Sequence, residues 1–229
     1  MRWDWLPQYF PHLLSGFSIT MQVLVISVVV GFLLAIPIGL VQVTGGRTSR
    51  TIAGAFCSYI RGTPLLTQIW LLYYGIGSLF PLIPGMRENF MWIIRLDAYW
   101  YIILAFTLSF AGYEAEIMRG AFLSVSKGEL EAARAIGMSP SKVLRRVWLP
   151  SAVLKVLPTL AGDVIGQLKS TPLAFTIPVM DLMSATSRVR QDTFLVYEPL
   201  LFLAFIYLVL TFLITRALAY LESFNPVRR

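Results

Sequence analysis

The sequence predicts an all-α membrane protein, with five transmembrane helices and a short cytoplasmic helical segment between spans three and four. Three observations predict it. Of 229 residues, 57% are hydrophobic and only 14% charged, with a mean hydropathy of +0.71, whereas a soluble domain carries about 25% charged residues. Five apolar runs approach the roughly 20 residues that a spanning helix needs. Between the third and fourth runs, residues 119–150 carry helix signals but no apolar run long enough to cross. With no internal repeat or low-complexity segment, 1–229 is expected to form a single membrane domain.

The opening residues Met1-Arg2-Trp3-Asp4-Trp5 are not a basic leader, and no short apolar core with a small-residue cleavage site follows. The first run, Ser18–Val43, is therefore expected to be a retained span. Gly45, Gly46, Arg47 and Arg50 make a polar turn after it. The second run is Ala53–Phe80, with Arg61 near its start as a snorkelling anchor and Pro64 placed to kink it. Pro81–Asp97 reads as a loop with a Pro84-Gly85 turn; within it, Phe90–Ile94 has interfacial character, with Trp92 at headgroup level. The third run is Ala98–Met118. The fourth, Ser151–Ser170, is interrupted by Lys155, Asp163, Gln167 and Lys169. Thr171–Glu198 mixes apolar and charged residues with Pro172 and Pro178, and Pro199–Leu221 is a strongly apolar fifth span.

Five spans put the termini on opposite sides. Arg47, Arg50, the basic residues between Arg119 and Arg146, Arg228 and Arg229 outnumber Arg2, Arg87, Arg95, Arg188 and Arg190 on the other side. The positive-inside rule makes the richer side cytoplasmic. The N-terminus is then periplasmic and the C-terminus cytoplasmic. The net charge of +7 follows from that loop bias and calls for no nucleic-acid partner. The single cysteine, Cys57, excludes an intramolecular disulfide and a cysteine-based zinc cluster; it reads as a small packing residue. The single histidine, His12, cannot build a His-rich metal site.

The polar stretch carries the most local information. Ser126-Lys127-Gly128-Glu129 has the form of a capping box. Glu129 to Ile136 are mostly good helix formers, and Gly137 stands where a left-handed cap would close the helix. Ser139-Pro140 opens a second helix with proline at its first position, and Leu149-Pro150 is expected to end it before the fourth span. From these residues alone the stretch is a helix–turn–helix. It could equally be an amphipathic connector lying on the membrane, with Lys142, Arg145 and Arg146 on headgroups.

Ionisable residues within spans by default mark a path or a pair. Asp163 and Gln167 are one turn apart and share a face, which Ser170 continues. Two readings stand side by side: Asp163 and Gln167 line a solute cavity, or Asp163 pairs with Lys169 or a neighbouring helix. Gly162 and Gly166 have the spacing of a close helix contact. Glu114 and Glu116, two residues apart, point to opposite faces, so only one can meet a given cavity; Glu116 is spaced to pair with Arg119. Tyr113 and Thr107 are candidate hydrogen-bonding groups. No G-x-x-x-x-G-K-[ST] phosphate loop occurs, so this chain does not handle ATP through one. No nucleophile–base pair is apparent.

Glu131-Ala132-Ala133, then Gly137, then Val147-Trp148-Leu149-Pro150 resembles the EAA motif of ABC importer permeases, with Val147 where isoleucine is usual. Arg61-Gly62-Thr63-Pro64-Leu65-Leu66-Thr67-Gln68 and Gly112 to Ala121 resemble further segments of permeases for polar amino acids. Lys169-Ser170-Thr171-Pro172-Leu173-Ala174 is similar to the histidine/lysine/arginine and opine branch. The resemblance implies a permease subunit that is not itself an enzyme. Its coupling helix would dock on a cytoplasmic ATP-binding subunit through Glu131, Ala132, Ala133 and Gly137, with Leu149 and Pro150 completing the motif. It further implies a second permease subunit, identical or related, and a periplasmic solute-binding protein. The solute would be an amino acid, basic or opine-like, and the location the bacterial inner membrane. No cofactor is expected on this chain, since ATP and magnesium would sit on the partner ATPase. Asp163, Gln167, Ser170, Glu114, Glu116 and Tyr113 are then candidate residues of the substrate path. The rival readings are a stand-alone secondary transporter or channel, which would call for inverted repeats, and a membrane scaffold without transport.

Overall fold

The computed structural model describes residues 3–76 and 97–223. Their regular structure is all helical, without a strand among them. Helix α1 is Leu6–Thr44 and α2 is Arg47–Gly62. Helix α3, Leu65–Trp70, runs on into a π turn at Leu71–Gly75. Helix α4 is Ala98–Ser124; α5, Lys127–Ala135, and α6, Pro140–Val143, follow. A second π turn, Leu144–Trp148, leads into α7, Leu149–Ser170, which ends in a 3-10 turn at Thr171–Thr176. Helix α8 is Leu182–Thr193 and α9 is Tyr197–Ser223. Among the described residues, four stretches are long and apolar enough to cross a membrane: Leu6–Thr44, Ala98–Ser124, Pro140–Thr176 and Tyr197–Tyr220.

The second apolar run is not one helix. Thr63 leaves the helical region (φ −116°, ψ 139°), as the residue before a proline tends to. Gln68 braces the break: its side-chain amide donates to the carbonyls of Ile60 (2.8 Å) and Thr63 (3.1 Å) and to the Thr63 hydroxyl (3.0 Å). Residues 77–80 of that run, and 81–96 of the expected loop with its interfacial stretch, lie outside the described residues. Asp97 caps α4, accepting from the Tyr99 amide.

Helix α1 begins well before Ser18. Pro7 lies in its first turn, where no N–H is needed, and Leu6, Tyr9 and Leu13 pack with Trp5, Leu182, Val189 and Leu203. Further along, Ser27, Gly31, Ala35 and Gly39 recur at every fourth position, and all four are buried. A Cβ on Gly31 would stand 3.0 Å from the Thr107 carbonyl oxygen, and one on Gly39 2.8 Å from that of Ala115. This stripe of small residues lets the α1 and α4 backbones approach closely, the packing mode available where lipid removes the hydrophobic drive between helices. Phe106, Ala111, Ala115 and Met118 of α4 are almost wholly buried. Helix α2 closes on α4 in the same way, with Ile60 against Gly112.

The molecule has two distinct ends. At one, Trp5, Leu13, Leu182, Ala185 and Leu203 gather. There Asp181 caps α8 and its Oδ1 accepts from the Ser184 amide (2.9 Å) and hydroxyl (2.6 Å); burial pushes its carboxyl up, against the pull of those hydrogen bonds. At the other end, Ala35, Cys57, Met118, Phe122 and Val125 pack with Leu130, Trp148 and Leu149. That end carries α5, α6 and the basic residues Arg47, Arg50, Arg134, Lys142, Arg145 and Arg146. The Trp148 Nε1 donates to the Phe122 carbonyl (2.9 Å) and Lys155 Nζ to that of Ser124 (2.6 Å). These bonds satisfy carbonyls that the last turn of α4 leaves open, and the lysine complements the negative end of that helix.

Three sequence expectations need correction. Leu149-Pro150 does not end a helix, because the chain runs without interruption from α6 through the π turn into α7. The wider i→i+5 turn before Pro150 accommodates a ring that clashes in a regular α-helix. Gly162 and Gly166 make no close helix contact among the described residues: the space where a Cβ would stand is open at both. Ser126 does stand at the N-cap of α5, but its side chain makes no capping hydrogen bond.

Candidate functional site: a polar cavity between spans and a capped loop

A cavity of about 270 Å³ opens between three elements. The break between α2 and α3 supplies Thr63 and Leu65. Helix α4 supplies Ser109, Phe110 and Tyr113, and α7 supplies Gly162, Asp163, Gly166, Gln167 and Ser170. The two glycines leave room, and the residues between and beside them carry the polar groups. So the spacing that suggested a packed contact on α7 produces the opening instead.

The polar groups around this cavity are not equivalent. Gln167 is buried, and its amide nitrogen donates to the Phe106 carbonyl (2.9 Å) and the Ser27 hydroxyl (3.3 Å), tying α7 to α4 and α1. Ser170 donates back to Gly166 on its own helix. Thr63 donates to Tyr59 and accepts from Gln68. Tyr113 is about half exposed. Asp163 is half-buried, and no ion pair joins it to Lys169 among the described residues. Its neighbour is an acid: the carboxyls of Asp163 and Glu114 lie close enough to act on each other.

The two glutamates of α4 therefore separate as their spacing predicts. Glu114 is wholly buried, turned toward α7 and Asp163. Glu116 faces away from it and pairs with Arg119 (3.0 Å), with the Arg61 guanidinium 3.9 Å from the same oxygen. Arg61 is thus set against an acid as well as half exposed. Cys57 is buried beside this group and accepts a hydrogen bond from the Gln42 side chain (3.3 Å).

The second feature is the loop between α4 and α7. Gly137 has a φ of +84°, a conformation that costs an L side chain about 1–2 kcal/mol. The Gly137 amide bonds to the Arg134 carbonyl (2.9 Å) and that of Met138 to Ala133 (3.2 Å), the paired bonds of a Schellman cap. Glu131 and Ala132 are exposed while Ala133 is buried, and Ile136 is 74% exposed. The sequence reasoning passed over Ile136, although a large apolar residue beside a cap glycine is a visible signal. Leu149 and Pro150 begin α7, where Leu149 packs into the inner cluster beside Leu130 of α5 and Pro150 is exposed.

Comparisons with known proteins agree with this architecture. Residues 27–224 match the family model of the binding-protein-dependent transport system inner membrane component. The octopine transport system permease protein OccM of Rhizobium radiobacter is 38% identical over 223 residues, covering 97% of this chain and 89% of that protein. The nopaline transport system permease protein NocM of Agrobacterium fabrum is 34% identical, covering 96% and 90%. The histidine/lysine/arginine/ornithine transport system permease protein HisM of Escherichia coli is 34% identical, covering 87% and 83%. Among solved structures, an amino acid ABC transporter crystallised with histidines superposes with a TM-score of 0.80 at 27% identity, over 97% of this chain and 98% of that one. An inward-facing methionine ABC transporter shares the fold, with a TM-score of 0.70 at 17% identity over 96% and 99%. The chain belongs to the binding-protein-dependent transport system inner membrane components, the permease subunits of ABC importers.

Proposed function

We propose that this chain forms half of the solute path of an ATP-driven importer for polar amino acids, basic or opine-like, in a bacterial inner membrane. The observation that carries the solute class is Asp163, a half-buried acid on a spanning helix, beside an open cavity and without a basic partner among the described residues. A charge so placed is expensive unless it serves a path. The names of the relatives, octopine, nopaline and histidine/lysine/arginine/ornithine permeases, share the same charge logic, since each of these compounds carries a basic group.

In this reading the broken α2–α3 segment completes a second crossing, which makes five spans with the N-terminus periplasmic and the C-terminus cytoplasmic. The basic end bearing α5 faces the cytoplasm. Helix α5, held by its Gly137 cap, is the coupling helix that docks on an ATP-binding subunit through Glu131, Ala132 and the exposed Ile136. A second permease subunit, identical or related, closes the path, and a periplasmic binding protein delivers the solute. ATP and magnesium act on the partner subunit. A rigid capped helix converts the closing of the ATPase pair into a tilt of the spans, so access alternates between the two sides.

Two measurements test these assignments separately. In proteoliposomes holding the assembled importer, Asp163→Asn is expected to weaken uptake of a basic amino acid at least about tenfold, the loss of roughly 1.4 kcal/mol of interaction, while solute-stimulated ATPase assembly survives. Unchanged affinity and rate would remove Asp163 from the path. Gly137→Asp is expected to reduce co-purification of the ATP-binding subunit and abolish uptake. If both persist, α5 is not the coupling element.

A further inference from the structure

The most strongly buried acid in the described residues has no role in the reading so far. Glu114 is 0% exposed, yet neither of its carboxyl oxygens receives an N–H or O–H from any described residue. Buried polar groups are ordinarily satisfied, and a buried acid without donors is costly. The neighbouring cations do not help it. Arg119 and Arg61 are directed to Glu116, on the other side of α4. What Glu114 does meet is Asp163, across the gap between α4 and α7. Two carboxyls side by side within a membrane interior cannot both be charged unless a cation stands beside them; without one, they hold a proton. Gln167, the nearest amide on α7, spends its N–H groups on Phe106 and Ser27 rather than on either acid.

We infer that Glu114 is the second carboxyl of a cation clamp, set behind Asp163, and that it makes the cavity selective for a guanidinium or ammonium group over a neutral group of the same shape. This rests on the reading of the cavity as the solute path and names the chemistry of its polar wall. A guanidinium bonded to Asp163 through its N–H fork would stand within electrostatic reach of Glu114 behind it. A neutral ureido group of the same size offers donors too, but brings no positive charge to the two acids. Ser109 and Tyr113 on the same wall can receive or give hydrogen bonds to either ligand, so the discrimination falls to the acids. Glu114 is a specificity-determining residue here because its charge reaches the ligand from one layer behind the cavity surface.

The test is equilibrium binding of labelled arginine and of labelled citrulline, its neutral ureido counterpart, to the detergent-purified permease–ATPase complex without the binding protein. The unmodified complex is expected to prefer arginine by about a hundredfold. Glu114→Gln is expected to weaken arginine binding at least tenfold while citrulline binding stays within about twofold, so the preference collapses. Glu114→Asp, which keeps the charge on a shorter arm, is expected to recover most of it. If Glu114→Gln weakens both ligands equally, Glu114 is a structural residue and the clamp is wrong. Should Glu114→Gln fail to assemble, Glu114→Asp decides alone: arginine affinity identical to the unmodified complex overturns the clamp, and a few-fold loss confined to arginine supports it. Asp163→Asn separates the two claims. If it abolishes the preference while Glu114→Gln does not, the path reading stands and the clamp falls; if neither changes the preference, both fall.

Discussion

Two helices in this protein carry small residues at four-residue spacing, with opposite outcomes. On α1, Gly31 and Gly39, set in a stripe with Ser27 and Ala35, meet α4 so closely that an added Cβ would crowd its backbone. On α7, Gly162 and Gly166 face open space and line the cavity. The spacing is the same, so spacing does not decide. The flanking residues do. The α1 stripe runs among apolar neighbours such as Val23, Leu24 and Val28, and it faces Phe110, Ala115 and Met118, which can fill every gap. The α7 pair is interleaved with Asp163 and Gln167, whose polar groups gain nothing from a dry apolar contact. Small residues permit close approach; the chemistry beside them determines whether it happens.

Enlarging the glycines on each helix breaks or sharpens this contrast. The largest effect is expected from Gly39→Leu. Its Cβ alone would stand 2.8 Å from the Ala115 carbonyl oxygen and 2.9 Å from the Met118 Cβ, and overpacking of this kind costs about 3 kcal/mol. The purified complex should lose thermal stability or fail to accumulate in the membrane. Gly166→Leu should behave differently, leaving the unfolding temperature nearly unchanged, within about 0.5 kcal/mol, while filling the cavity and lowering uptake. Equal destabilisation by the two substitutions would erase the distinction drawn here. The smallest effect belongs to Ser27→Ala, which keeps the stripe small but removes the acceptor of the Gln167 bond. Interhelical side-chain bonds in membranes average about 0.6 kcal/mol, so a shift of that order in thermal stability is expected, with a modest change in uptake from a looser Gln167.

Much of this was legible in the residues themselves. The membrane class followed from composition, and four apolar runs correspond to long helices. Gly137 was visible as a left-handed cap because few residues other than glycine adopt that conformation without strain. The separation of Glu114 from Glu116 followed from helical phase, but phase does not say which acid meets the cavity. That depends on where α2 and α7 sit around α4, which is tertiary information. Thr63 shows a similar limit. Pro64 announced a disturbance, yet whether a spanning helix kinks or stops depends on whether a side chain such as Gln68 can satisfy the carbonyls set free. The π turn before Pro150 had no signature to read, since its i→i+5 bonds place no demand on residue type. The stripe on α1 had a clear pattern that the reading passed over in favour of the glycines on α7.

The hydrogen bonds around the cavity also set its mechanics. Helices α4 and α7 are fastened twice, by Trp148 and Lys155 at the end that carries α5 and by Gln167 in the cavity wall. Two walls bolted at one end and within the opening make a window frame, whose width resists change. The third wall, Thr63 and Leu65, keeps its hydrogen bonds within its own segment, to Tyr59 and Gln68, and the helix before it is tied to the frame and to α1 by the long Arg61–Glu116 contact, the Gln42–Cys57 bond and the packing of Ile60 on Gly112. The interruption at Thr63-Pro64 is thus a braced corner of the opening, its freed carbonyls held by Gln68.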